Sequence, residues 1–346
     1  MRYKLLGKSG LRVSELCLGT MTFGEDWGWG SSKDESRKVY DAFREGGGNF
    51  IDTANFYTNG TSESFLGEFM QDHRQSLVMA TKYSNAFPGT DPNAAGNHRK
   101  SMMQAVEASL KRLKTDYIDL YLLHVWDQIT PIEEVMRAFD DLVRQGKILY
   151  AGVSDMPAWL VARGNTLAEL RGWPAFVGLQ IEYSLIERTP ERELLPMAAG
   201  LGLGITAWSP LAGGVLTGKQ LEPGGVKESR QSQASMPMQQ YMKSKARTEA
   251  VVREVVAVAR ESGHSPAQVA LAWLRQRPQP VIPIIGARKL AQVKDNLACA
   301  QVKLDPALIE RLNGVSRIEM GFPHDMLASD MLRSLSSSGM RDQLDA

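Results

Sequence analysis

From Glu15 to Ile285 the chain repeats one pattern eight times: a short, almost unbroken apolar run, then a helix or a loop and a helix. The runs are Glu15–Leu18, Asn49–Ile51, Leu77–Thr81, Ile118–Leu123, Lys147–Val153, Gly178–Ile181, Leu203–Trp208 and Val281–Ile285. Strands of this kind suit a parallel sheet covered on both faces by its own crossover helices. Eight such units predict an α/β fold, a closed (β/α)₈ TIM barrel, as a single domain over residues 1–346. The alternative, an open doubly wound sheet, wants a glycine fingerprint after its first strand. Leu18-Gly19-Thr20-Met21-Thr22-Phe23-Gly24 does not supply one.

Local signals place the elements between the strands. Residues 2–13 read as an N-terminal β-hairpin, with Tyr3, Leu5 and Val13 flanking the turn Gly7-Lys8-Ser9-Gly10. Ser32 with Glu35, and Thr130 with Glu133, have capping-box spacing, and Pro131 suits a first helical position. The first of these helices stops at Gly46-Gly47-Gly48. Ser265-Pro266-Ala267-Gln268 caps a helix through Trp273, a helix spans Trp159 to Leu170, and Thr189-Pro190 starts one up to Ala199. Two segments break the rhythm. Residues 221–245 follow the seventh strand and read as a lid or binding loop at the mouth, with a plain insertion as the alternative. The polar tail, 321–346, is either loosely ordered or folded over the mouth.

Composition excludes several function classes. A net charge of +1 offers no electrostatic case for nucleic acid or a membrane as main partner. Cys17 and Cys299 show no disulfide-framework or zinc spacing, so no metal is expected. The N-terminus lacks the apolar core of a signal peptide, and no run approaches membrane-spanning length; the expected location is the cytoplasm. Both monomer and homo-oligomer stay open.

In a barrel the C-terminal strand ends converge on one site. Asp52, Lys82 and His124 end the second, third and fourth strands, and Tyr57 follows five residues after Asp52. A phenol titrates near ~10 and is a poor acid unless a neighbouring cation lowers its pKa. Lys82 is expected to do so, held in place by Asp52, while His124 bonds the same reacting oxygen. This machinery suits protonation of a carbonyl oxygen as hydride arrives. No side chain supplies hydride, so a nicotinamide cofactor is implied. The later strand ends offer a place for one. Trp208 is a stacking surface, and Gln180 with Ser154 and Asp155 can bond a carboxamide. Ser209, Pro210, Leu211 and Gly213 lie in a small-residue run suited to pyrophosphate. Gly286, Arg288 and Lys289 open the last helix where an anion is favoured, and two cations there suggest the 2′-phosphate of NADP. Gln292 and Asn296 lie one turn apart for adenine; Gly19, Thr20 and Met21 complete the expected cofactor set. Trp27, with Trp29, and Trp126 are expected substrate walls beside Tyr57 and His124.

The chain carries G-x-N-F-I-D-T-A-x-x-Y at Gly47 to Tyr57, G-x-S-E-x-x-L-G at Gly60 to Gly67, A-T-K ending at Lys82 and D-L-Y-L-L-H ending at His124. The series continues through G-V-S at Gly152 to Ser154, Q-I-E-Y-S from Gln180, W-S-P-L-A-G-G-V-L-T-G-K from Trp208 and I-P-I-I-G-A-R ending at Arg288. In these motifs the chain resembles the aldo-keto reductases, and it is similar to bacterial-type reductases in the branch that includes voltage-gated potassium channel β-subunits. The resemblance implies a barrel, NADPH, and the tetrad Asp52, Tyr57, Lys82 and His124, with Tyr57 as acid in reduction of aldehydes or ketones. One departure is Asp155, where the family usually has Asn; a carboxylate accepts from a carboxamide but cannot donate. Two other functions stay open: a cofactor-binding regulatory subunit, and a Schiff-base aldolase using Lys82.

Overall fold

The structure is a computed structural model that describes residues 1–86, 89–221 and 245–344. Its centre is a closed barrel in the order β10-β3-β4-β5-β6-β7-β8-β9, every neighbouring pair parallel. The barrel strands are β3 (Cys17–Gly19), β4 (Phe50–Asp52), β5 (Val78–Tyr83), β6 (Ile118–Leu123), β7 (Ile148–Ser154), β8 (Phe176–Glu182), β9 (Gly204–Trp208) and β10 (Val281–Gly286). The helices between or after them are α1 (Lys33–Glu45), α2 (Thr61–Phe69), α3 (Arg99–Leu113), α4 (Ile132–Arg144), α5 (Ala158–Arg171), α6 (Leu194–Leu201), α7 (Lys245–Ser262), α8 (Pro266–Arg275), α9 (Leu290–Ala298) and α10 (Pro306–Ser316). The predicted (β/α)₈ architecture is observed.

Two apolar cores follow from the period of two along each strand. Phe50, Val78, Ala80, Leu120, Leu122, Ile282 and Ile284 point into the barrel. Ile51, Met79, Tyr121, Leu123, Val153, Leu179 and Ile205 point outward to the helices. The N-terminal hairpin, β1 (Tyr3–Leu5) and β2 (Arg12–Ser14), closes the floor. Leu6 and Val13 join the interior cluster, and Lys8 N–H donates to Gly202 O at 2.8 Å. Gly7 adopts φ +58°, and a Cβ there would lie 2.5 Å from Gly202 O and 2.6 Å from Gly204 N. Backbone on both sides cannot yield. Gly7→Ala is therefore expected to destabilise the chain by about 2 kcal/mol or more, read as a lower denaturant midpoint at unchanged slope.

Helix ends depart from expectation in three places. Ser32 caps α1 by accepting from Glu35 N–H, but Glu35 does not return the bond. Its Oε1 instead accepts Leu290 N–H at 2.8 Å, tying α1 to α9. Thr130 is not a cap: α4 begins after Pro131 without a side-chain bond, and Thr130 donates its hydroxyl to Asp127 at 2.6 Å. The Thr189 helix divides into a 3₁₀ turn at Thr189–Glu191 and α6, because Glu193 adopts a non-helical φ of −132° between them. The capping box at Ser265 is present in full. The expected mouth loop, 221–245, lies outside the described residues except at its two ends. The tail forms two short helices, α11 (His324–Leu327) and α12 (Asp330–Ser336), anchored where Arg192 donates to Glu319 O at 2.6 Å.

Candidate active site

Strand parity decides what the barrel mouth presents. On β5, Val78 and Ala80 face inward, so Lys82 must; on β6, Leu120 and Leu122 face inward, and His124 continues the row. Asp52 follows Phe50 and Gln180 follows Gly178 by the same rule. Each inward row thus turns from apolar to polar one layer below the rim. The apolar side chains fill the lower layers, and the polar ones, themselves buried, gather at the mouth.

Lys82 is completely buried and fully satisfied. Its Nζ donates to Asp52 Oδ2 at 2.7 Å, to Thr53 O at 2.7 Å and to Tyr57 Oη at 3.3 Å. Burial pulls the ammonium down, but Asp52 and Tyr57 more than compensate and its pKa lies above the ordinary value. Asp52 Oδ1 accepts Gln180 Nε2 at 2.8 Å, so that amide nitrogen is committed to the carboxylate rather than to a ligand. The Tyr57 phenol corrects an expectation. Burial pushes it up more strongly than Lys82 pulls it down, so it is a protonated phenol at neutral pH. Lys82 moderates the rise and does not reverse it. His124 is driven well below the ordinary range, by burial first and then by Lys82, so the ring is neutral and donates one N–H. Its Nδ1 is buried without a protein partner.

The chain reaches Tyr57 by a strained turn. Thr58 (φ +46°) and Asn59 (φ +57°) are both left-handed, an uncommon pair of non-glycine residues, and Gly60 follows at φ +91°. The turn is held by Thr58, whose hydroxyl donates to Phe23 O at 2.6 Å and accepts Ser62 N–H at 3.1 Å. Beneath it Ser62 meets the hydroxyls of Thr20 and Thr53 at 2.9 and 3.0 Å. Buried Glu63 accepts from Thr81 at 2.6 Å and from Arg112 at 2.7 Å. Ser62 and Glu63 therefore pin the ends of β3, β4 and β5. Their proximity to Asp52 in sequence was visible; the hydroxyl network was not.

The aromatic side chains near the mouth pack on one another. Trp27 lies edge-on to Tyr57 at 6.4 Å and packs on Trp29 at 5.6 Å. Phe56, not singled out from sequence, joins Trp27 at 5.9 Å and His124 at 5.4 Å. The Trp126 ring meets Trp159 at 6.2 Å, and its backbone N–H donates to Asp155 O at 3.4 Å.

The expected cofactor residues divide by what their polar atoms already do. The Ser154 and Ser209 hydroxyls are buried without protein partners. Ser209 (φ +51°), Ala212 (φ +50°), Gly213 (φ +66°) and Gly214 (φ +99°) are left-handed around Pro210 and Leu211, and the Ala212 and Gly214 N–H groups donate to Ser209 O and Leu211 O. Trp208 Nε1–H donates to Asp155 Oδ1 at 3.1 Å. Asp155 is also left-handed, at φ +42°. Desolvation pushes its carboxyl up to about 6, against the indole N–H and Lys82, which lower it. Thr20 is committed: its hydroxyl donates to Asp52 O at 2.9 Å. Gly19 stands in register with Asp52 and Gly286, and Met21 is half-buried beside them. Gln292 Oε1 accepts Arg288 N–H at 2.8 Å, and Asn296 reaches Gly286 O at 3.4 Å, so both brace the loop after β10. At α9 the Leu290 N–H is already taken by Glu35. An outer cavity of about 250 Å³ between Tyr40, Arg44 and His73 shares no residue with this mouth.

The closed parallel barrel gathers a buried ammonium, carboxylate, phenol and imidazole at its C-terminal mouth. The chain belongs to the aldo/keto reductase family, whose sequence profile matches residues 15–317. It is similar to a putative aryl-alcohol dehydrogenase of Saccharomyces cerevisiae, 35% identical, covering 95% of this chain and 90% of that one. It is 37% identical to an aryl-alcohol dehydrogenase (NADP(+)) of Phanerodontia chrysosporium, over 91% of this chain and 86% of that protein. A norsolorinic acid reductase of Aspergillus flavus is 36% identical, over 93% and 83% of the two chains. Among the described residues, no helix is long and apolar enough to cross a membrane, and no His, Cys, Asp or Glu cluster could hold a metal ion.

Proposed function

We propose that the chain interconverts carbonyl compounds and alcohols with NADPH, acting on flat aromatic aldehydes or ketones. The observation that carries this reading is the single buried Nζ of Lys82 bridging Asp52 and the Tyr57 hydroxyl. When bound, the nicotinamide supplies hydride to the carbonyl carbon. Tyr57 gives its proton to the oxygen as negative charge gathers there, and Lys82 stabilises the phenolate left behind. Neutral His124 donates its N–H to the same oxygen. In the reverse direction the Tyr57 phenolate, stabilised by Lys82, takes the alcohol proton. Trp27, Trp29 and Phe56 provide the apolar surface for an aromatic ring. The relatives named aryl-alcohol dehydrogenases support that choice.

The unpartnered hydroxyls of Ser154 and Ser209 and the left-handed run from Ala212 to Gly214 fit a pyrophosphate and carboxamide. Trp208 supplies the stacking face. Arg288 and Lys289 supply charge for a 2′-phosphate, and the relative named for NADP(+) supports this choice. The test is oxidation of NADPH, and separately NADH, with an aromatic aldehyde. Wild type is expected to prefer NADPH, and Arg288→Ala to narrow that preference by roughly tenfold, chiefly through KM. Equal use of both nucleotides by wild type overturns the NADP assignment; nucleotide binding without turnover on any aldehyde or ketone overturns the carbonyl assignment.

A further inference from the structure

We propose that Asp155 is a positioning residue that selects the redox state of the cofactor, favouring the cationic, oxidised nicotinamide over the neutral, reduced one. The inference rests on the stacking role given above to Trp208. Oxidised nicotinamide carries a positive charge and the reduced ring carries none, so a fixed anion at the rim of the stacking surface distinguishes them. The structure places such an anion there. Asp155 Oδ1 accepts the indole N–H of Trp208 at 3.1 Å, at the edge of the ring whose face would meet the nicotinamide. A carboxylate so bonded also adds electron density to the indole, and a tryptophan face already attracts a cation. An amide at this position would accept the same hydrogen bond and hold the same ring without the charge. The left-handed backbone of Asp155 and the 3.4 Å bond from Trp126 N–H to its carbonyl hold the residue in place.

The charged and titratable groups around Asp155 do not cancel it. Lys82 on β5 is a cation acting on it, and its charge is already matched by Asp52. Tyr57 is a neutral phenol and His124, ending β6, a neutral imidazole. Glu182 stands in register with Trp208 across β8 and β9. With its carboxyl pushed up to about 6, Asp155 is an anion at pH 8 and mostly protonated at pH 5. The oxidised-state preference is therefore present above pH 6 and lost as pH falls through it.

The test is equilibrium binding to the full chain, read from tryptophan quenching for NADP⁺ and from NADPH emission, with no turnover involved. Wild type is compared with Asp155→Asn and Asp155→Glu. At pH 8 the asparagine variant is expected to shift the ratio of the two dissociation constants by roughly fivefold against NADP⁺, while glutamate keeps most of the preference. Lowering the pH to 5 is expected to move the wild-type ratio toward that of the asparagine variant, which stays flat. The nucleotide phosphates titrate alike in both redox forms and cancel in the ratio. Equal weakening of both nucleotides in Asp155→Asn, with the ratio unmoved, overturns the inference and leaves the cofactor reading intact. A wild-type chain that binds neither nucleotide overturns both.

Discussion

Tyr57→Phe is expected to lower carbonyl reduction by roughly 10²- to 10⁴-fold, about 3–5 kcal/mol of barrier, with NADPH affinity nearly unchanged. The substitution deletes one oxygen and its proton. The ring stays in place because its position is set by the Thr58 latch and by packing against Trp27 and His124. Lys82 loses its longest bond, 3.3 Å, and keeps two of 2.7 Å, so it stays charged and anchored. What disappears is the proton donor. The phenol is protonated throughout the neutral range, since burial raises it. Its acidity is needed only as charge develops on the substrate, when Lys82 stabilises the phenolate. The measurement is the single-turnover hydride step, which product release cannot mask. A variant that keeps wild-type single-turnover rates removes Tyr57 from the mechanism.

Lys82→Met is expected to have two separable effects. The hydride step falls by several orders of magnitude, because the forming phenolate loses its cation and the Tyr57 hydroxyl loses a fixed donor. Stability falls as well, by about 3–5 kcal/mol, because Asp52 is only 3% exposed and keeps only Gln180 beside it. Methionine fills a similar volume, so the loss is electrostatic rather than a cavity. The double variant Lys82→Met with Asp52→Asn removes the uncompensated carboxylate. It is expected to recover most of the stability and none of the rate. Chemical denaturation and single-turnover kinetics on the same three proteins separate the effects. If the double variant is no more stable than Lys82→Met, the pair does not carry the stability assigned to it.

The barrel was legible because its signal is redundant. Eight apolar runs at helix-sized intervals leave few ways to bury both faces of a sheet, and an error at one run does not alter the result. Helix starts were less so. Ser265 caps as its spacing predicts, yet Glu35 and Thr130, with equally good spacing, bond elsewhere. A capping signal is local, but a side chain within reach of a stronger tertiary partner takes it. The same logic separates the expected site residues. Asp52, Lys82 and His124 follow from strand parity, which is a property of the chain alone. Gln180, Gln292 and Asn296 lie where the sequence places them, but bonds inside the fold engage their side chains.

What the sequence by itself determined is the architecture and the identity of the ionisable groups at the mouth, because both follow from eight apolar runs at helix-sized intervals and from the residues that end them. What only the tertiary structure decided is how those groups share protons and partners. Three strand ends meet at one ammonium, and burial there outweighs a neighbouring cation in setting the Tyr57 phenol. Phe56 and Trp159 enter the aromatic surfaces, and Asp155 turns to the indole of Trp208, through contacts between segments far apart in the chain. Desolvation and cross-strand bonding depend on the whole assembled neighbourhood, and no local stretch of sequence contains it.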